Sequence, residues 1–203
     1  MITSEYCKFE KYKAIIGVDE AGRGPIAGPV VAAAVILPAT KNIEGLNDSK
    51  KLTKNKREKL FEEIKKSALS YSINSVGPTT IDRINILEAT FQAMFNAIKG
   101  LKYKGDYILV DGSFLPSKSP KIELNLPARP VVKGDEKYFC IAAASVLAKV
   151  YRDNLMLKYA RRYPGYKLAS NKGYPTLQHK KAIKKLGPCK IHRQTFKPIR
   201  NLS

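Results

Sequence analysis

The stretch Gly17-Val18-Asp19-Glu20-Ala21-Gly22-Arg23-Gly24-Pro25 decides how the rest of the chain is read. The apolar run Ala14, Ile15, Ile16 and Val18 has the pattern of a buried strand, and two adjacent carboxylates close it. A glycine-rich turn follows, then a second apolar run from Val30 to Leu37. Acids at the end of a buried strand are costly unless something cationic meets them. In a chain of formal charge +20, metal ions held against a polyanionic substrate are a strong candidate.

Gly22-x-Gly24 with Gly28 does not make a dinucleotide fingerprint. The last spacing is one residue too long, and a strand pattern stands where a helix should begin. Two readings of the turn stay open: a tight hairpin, or a place where backbone N–H groups approach a ligand beside Arg23.

With 203 residues, 44% of them hydrophobic, the chain can bury a core and is most simply one domain. Its 37 Lys and Arg against 17 Asp and Glu point to an anionic partner, with nucleic acid first. Trp is absent and there are 11 Tyr, so ring stacking falls to Tyr or Phe. Cys7, Cys140 and Cys189 are odd in number and lack metal-ligand spacing, which fits a reducing compartment. No stretch has the apolar length of a signal peptide or a membrane span. The expectation is a soluble, cytoplasmic monomer with no membrane association.

Hydrophobic patterning predicts strands over 12–18 and 29–37, a basic helix over 52–68 capped by Thr53, and a strand over 70–76. It predicts a helix over 81–99, a strand over 106–111 and a loop-rich segment with short strands over 115–134. A long helix with an apolar centre follows over 136–162, stopped by Pro164, then a basic helix over 176–186 and an irregular end. The order implies an α/β fold with a mixed sheet, the long helix packing directly across it.

Asp19 and Asp111 both end apolar strands before glycine, and neighbouring strands would bring them together. Each also reads as an ordinary turn residue. Hard divalent cations such as Mg²⁺ or Mn²⁺ want oxygen ligands of this kind. Glu20 joins Asp19 only if the backbone turns there or its carbonyl serves, because successive strand side chains face opposite ways. Asp135 reads as the N-cap of the long helix, and Asp153, four residues after Lys149, as half of a helix-face ion pair. His179 and His192 lack zinc spacing and read as solvated or locally bonded rings, phosphate contact being the alternative. In Asn171-Lys172-Gly173-Tyr174-Pro175-Thr176, Tyr174 either stacks on a sugar or base or folds onto the core. Asp48-Ser49-Lys50-Lys51-Leu52 reads as the start of a helix.

As an ordered set, these pieces resemble the type 2 ribonucleases H, and the bacterial ribonuclease HII family in particular. The likeness runs from Ile16 to about Phe196. It rests on Asp19-Glu20-Ala21-Gly22-Arg23-Gly24, Asp48-Ser49-Lys50, Val110-Asp111-Gly112 and Lys133-Gly134-Asp135. It continues through Ala142-Ala143-Ala144-Ser145, Ala148-Lys149-Val150-Tyr151-Arg152-Asp153, Lys172-Gly173-Tyr174 and Ile191-His192-Arg193.

The resemblance implies a ribonuclease H-like mixed sheet flanked by helices, with a catalytic core over about 12–163 and a C-terminal helical, substrate-binding extension over about 164–203. It implies hydrolysis of the RNA strand of RNA–DNA hybrids. It also implies cutting 5′ of single ribonucleotides embedded in duplex DNA, which leaves 3′-hydroxyl and 5′-phosphate ends and serves removal of misincorporated ribonucleotides. The family's acids, metal-binding and catalytic, map onto Asp19, Glu20, Asp111 and Asp135, displacing the N-cap reading of Asp135 and leaving Asp153 structural. Gly22, Arg23 and Gly24 correspond to the element contacting the 2′-hydroxyl and adjoining phosphate. Tyr174 corresponds to the ring stacking on the following deoxyribose, and Lys50 and Lys172 to phosphate contacts. Two Mg²⁺ or Mn²⁺ per site would activate water and stabilise the leaving oxyanion. Some relatives carry His where Asn171 stands. An amino-terminal extension of the ribonuclease HIII kind is not expected, since the catalytic motif begins at Gly17. The alternatives are a catalytically silent nucleic-acid binder, which would be indifferent to chelator, and a type 1 ribonuclease H, which single-ribonucleotide substrates would separate.

Overall fold

Seven apolar residues in a row form β2 (Val30–Ile36), and all seven are buried. A strand apolar on both faces has to be covered on both. The computed structural model, which describes residues 9, 11–39, 43–46 and 53–201, places β2 second in a five-stranded mixed sheet. Lys50 and its flanking motif lie outside the described residues. β1 (Ile15–Ala21) and β3 (Ser70–Val76) flank β2, both antiparallel to it. β4 (Tyr107–Asp111) runs parallel to β1, and β5 (Ala128–Val131) parallel to β4. The order is β3-β2-β1-β4-β5.

α1 (Lys54–Ser67) begins where expected, the Thr53 hydroxyl accepting from the Lys56 N–H. α4 (Phe139–Arg162) and α1 cover one face of the sheet, burying Ala142, Ala143, Val146 and Leu147 against Val31, Ala33 and Val35. Small side chains bring this helix close. A Cβ on Gly17 of β1 would collide with the backbone of Cys140 and Ile141, so strand and helix meet main chain to main chain. The other face is covered by α2 (Pro78–Ile84) and α3 (Ile86–Lys99), with Phe91, Met94 and Ala97 against Val18, Ala32, Ala34 and Val110. Truncating a fully buried residue such as Leu147 to alanine would cost about 2–5 kcal/mol.

Three elements differ from the sequence expectation. β1 continues through Asp19 and Glu20 to Ala21, because Ala33, Ala32 and Val31 keep pairing opposite them. The helix expected over 81–99 is two helices, broken at Asn85. Asn85 has φ 67°, and its side-chain oxygen accepts from the N–H groups of Leu87 and Glu88. The apolar spacing bridges the break because Ile81 packs on the same core as α3. The long helix starts at Phe139 rather than 136, and Gly134–Glu136 forms a separate 3₁₀ turn. Asp135 is therefore not its N-cap.

The C-terminal part adds α5 (Leu168–Asn171), a short helix without sequence periodicity, and α6 (Leu177–Leu186), capped by Thr176. Ile183, Ile191 and Ile199 pack with Ile26, Ala27 and Met156, fastening this part to the loop between β1 and β2. Asp82 holds the tail by accepting from the N–H groups of Gln194 and Thr195. No helix among the described residues is long and apolar enough to cross a membrane.

Candidate active site

Parallel pairing of β1 with β4 sets Val18 opposite Val110, so the next residue on each strand is an aspartate at the same end of the sheet. Asp19 is buried on the side of α4, where it accepts from the Ser145 side chain and, at 2.7 Å, from the N–H of Glu20. Asp111 accepts from the N–H of Gly134 at 2.6 Å. The turn carrying Asp135, itself buried, is thereby tied to the end of β4.

Burial pushes the Asp19 carboxyl well above the usual carboxylate range, and the neighbouring Glu20 and Asp111 carboxylates push it further. Glu20 is raised as well, first by burial and then by Asp111, against the pull of Arg23, whose guanidinium lies 3.4 Å away. Glu20 is within electrostatic reach of both aspartates, although β1 runs through it without a turn.

The donor set consists of oxygens from carboxylates in mutual repulsion, which is the chemistry a hard divalent cation relieves. On that ground the residues fit such an ion. Among the described residues, no three His, Cys, Asp or Glu side chains are drawn up around one point. The acids share a region rather than a closed cage.

Beside the acids opens a cleft of about 330 Å³. Glu20 and Gly22 line it from β1 and the following turn, Arg57 from α1, and Ser145, Lys149 and Arg152 from α4. Tyr174 closes the far wall and is 42% exposed, so it is not folded onto the core. Its ring faces the Arg152 guanidinium at 6.0 Å. Lys172 donates to the Ala169 carbonyl at 2.6 Å, near the cations Lys54, Lys149 and Arg152.

In the turn itself, Gly22 has φ 98°, and a Cβ there would collide with the Arg152 side chain. The carbonyls of Gly22 and Arg23 point inward, accepting from Arg193 Nη2 at 2.6 Å and Nη1 at 2.9 Å. Arg193 Nε donates to the Gly28 carbonyl, and Arg152 donates to those of Pro29 and Ala27. Arg23 and Gly24 remain exposed.

Sequence reasoning missed Arg152, Arg193, Arg57 and Lys149. Ser145, Lys149 and Arg152 stand at i, i+4 and i+7, which marks one face of α4 and was available as a signal. Nothing in the sequence marks Arg193 as buried. Asp153 pairs with Lys149 at 2.9 Å, the helix-face ion pair expected. The two histidines are locally bonded, one of the two readings the sequence left open, His179 to the Tyr174 carbonyl and His192 to Cys189, and they are buried against each other rather than solvated.

A mixed sheet flanked by helices, with aspartates at the same end of adjacent parallel strands beside a cation-lined cleft, defines a nuclease of the ribonuclease H type. Comparison with known proteins narrows this. The profile of Ribonuclease HII matches residues 16–199. Ribonuclease HII of Caldicellulosiruptor saccharolyticus is 53% identical over 187 residues, covering 92% of this chain and 88% of its own. The crystal structure of ribonuclease H2 from Pyrococcus horikoshii OT3 superposes with a TM-score of 0.77 at 31% identity, over 93% of this chain and 96% of that one. Bst-RNase HIII in complex with Mn²⁺ shares the fold, with a TM-score of 0.67 at 16% identity over 85% and 70%. The chain belongs to the ribonuclease HII family, and it is a ribonuclease H endonuclease acting on nucleic acid.

Proposed function

We propose that this protein cuts 5′ of single ribonucleotides in duplex DNA, as well as the RNA strand of hybrids, using divalent metal held by Asp19, Glu20, Asp111 and Asp135. The observation that carries the reading is that Glu20, which interacts with Asp19 and Asp111, lines one cleft together with Gly22 and Tyr174. Two Mg²⁺ or Mn²⁺ bound there supply an activated water and a stabilised leaving oxyanion. Mn²⁺ binding by Bst-RNase HIII, a relative in fold, is in keeping with this.

The chain's own residues select the substrate. Gly22, Arg23 and Gly24 receive the 2′-hydroxyl and its phosphate, the group that tells RNA from DNA. Tyr174 packs its exposed ring on the sugar that follows. Lys172, with Lys149 and Arg57, neutralises flanking phosphates. Lys50 belongs to the same reading by resemblance alone.

A labelled duplex with one ribonucleotide, incubated with Mg²⁺, Mn²⁺ or EDTA, tests this. The expected result is one cut, 5′ of the ribonucleotide, in either metal and none in EDTA. Cutting in EDTA, or of an all-DNA duplex, would contradict it.

A further inference from the structure

The rings of His179 and His192 are 0% and 1% exposed, and their Nε2 atoms lie 3.1 Å apart. Their tautomers follow from their partners. His192 Nδ1 meets the Cys189 N–H donor at 2.9 Å, nearer than the Cys189 carbonyl at 3.2 Å. A proton on Nδ1 would confront that donor, so the ring's proton sits on Nε2. His192 Nε2–H then donates to His179 Nε2, which leaves the His179 proton on Nδ1. From there it donates to the Tyr174 carbonyl at 2.9 Å. The chain of bonds runs from the Cys189 N–H through both rings to the Tyr174 carbonyl. Burial lowers the proton affinity of both rings, so both are neutral at neutral pH and the relay is intact there.

The far end of this relay is anchored to the other half of the site. His192 bridges Ala27, Gly28 N–H donates to the Ile191 carbonyl, and Arg193 N–H donates to that of Ile26. The Arg193 side chain holds the carbonyls of Gly22 and Arg23. Ile191-His192-Arg193 thus grips the glycine turn directly and reaches Tyr174 through His179.

We propose that His192 and His179 are positioning residues for Tyr174, fixing the backbone from which its ring projects in register with the Gly22-Arg23-Gly24 turn. The proposal rests on the reading that Tyr174 packs on the deoxyribose following a ribonucleotide. That contact exists at a ribonucleotide–deoxyribonucleotide junction and is absent within continuous RNA, where the next sugar carries a 2′-hydroxyl. A relay defect therefore lowers junction cleavage relative to cleavage of a continuous hybrid, whereas a general loss of structure lowers both together.

The test compares initial rates on a single-ribonucleotide duplex and a continuous RNA–DNA hybrid of the same sequence, for Tyr174→Ala, His179→Ala and His179→Asn. The expected result is a junction-to-hybrid ratio roughly tenfold lower in Tyr174→Ala and His179→Ala. In His179→Asn, whose amide N–H stands where the Nδ1–H stood, the ratio recovers only in part, because the Tyr174 carbonyl regains its donor while His192 Nε2–H loses its acceptor. Where His179→Ala does not fold, His192→Leu, which fills the site but has no donor for His179, is judged by the same ratio. A ratio unchanged in the histidine variants but lowered in Tyr174→Ala overturns the relay and leaves the site reading standing. A ratio unchanged in Tyr174→Ala overturns the site reading, and the relay with it.

Discussion

Arg193 donates from Nη2 to the Gly22 carbonyl at 2.6 Å, joining residues 171 apart in sequence. Burial, with Arg152 close by, lowers the Arg193 pKa to about 9, so the group keeps its charge at neutral pH. It keeps it without an ion pair of its own among the salt bridges described; carbonyl dipoles serve instead. The glycine turn is therefore built from inside by a side chain near the other end of the molecule.

Replacing Arg193 with methionine removes the donor from three carbonyls, two of them in buried bonds. A buried acceptor left unpaired costs about 1–3 kcal/mol, so the loss should reach about 2 kcal/mol or more. Arg193→Lys, reaching fewer of the three, should fall in between. Urea midpoints measure this, and a methionine variant as stable as the native protein would refute the clamp.

Gly22→Ala should damage both stability and cleavage. An alanine at φ 98° costs about 1–2 kcal/mol, and its Cβ displaces Arg152 as well. The melting temperature should fall by several degrees and junction cleavage by a larger factor than that loss explains. Native melting and native activity together would show that the turn needs no glycine there.

The histidine pair makes stability depend on pH. Folding lowers His192 from 6.5 to about 4, so the unfolded chain takes the proton first. The pair's contribution is whole above pH 6.5 and is lost as pH falls through about 4, a change on the order of 3 kcal/mol. Asp19 and Glu20, raised on folding, pull the other way. The measurement is thus the difference between native protein and His192→Gln, whose urea midpoints should converge as pH falls from 7 to 4. A constant gap would contradict it.

Asp153, though acidic and near the cleft, should matter little. Its partner Lys149 is partly exposed, and such helix pairs contribute about 0.3–0.5 kcal/mol. Asp153→Asn should keep junction cleavage within about twofold, and a large loss would place it among the working acids.

Most of the sheet was legible because strands buried on both faces are written as continuous apolar runs, as in Val30–Ile36. The aspartates were legible because charge is rare at the end of such runs. The break at Asn85 was hidden by apolar spacing that both flanking helices share. The start of α4 was misjudged because Asp135 has the chemistry of a cap, while its turn is held by Asp111. Arg193 was hidden for a different reason. Its burial depends on carbonyl partners 165 to 171 residues away, and no local pattern records such a partner.

The central claim is that Asp19 and Asp111 together hold the metal that cuts at a ribonucleotide. Asp19→Asn and Asp111→Asn keep the shape and one acceptor oxygen but lose a charge, so melting in EDTA should be no lower than that of the native protein. The deciding measurement is cleavage of the single-ribonucleotide duplex in Mn²⁺ by each variant. The account predicts a loss of about a thousandfold or more in both, on the scale of several kcal/mol of transition-state stabilisation. Metal-dependent cleavage at the native rate by either folded variant would contradict it.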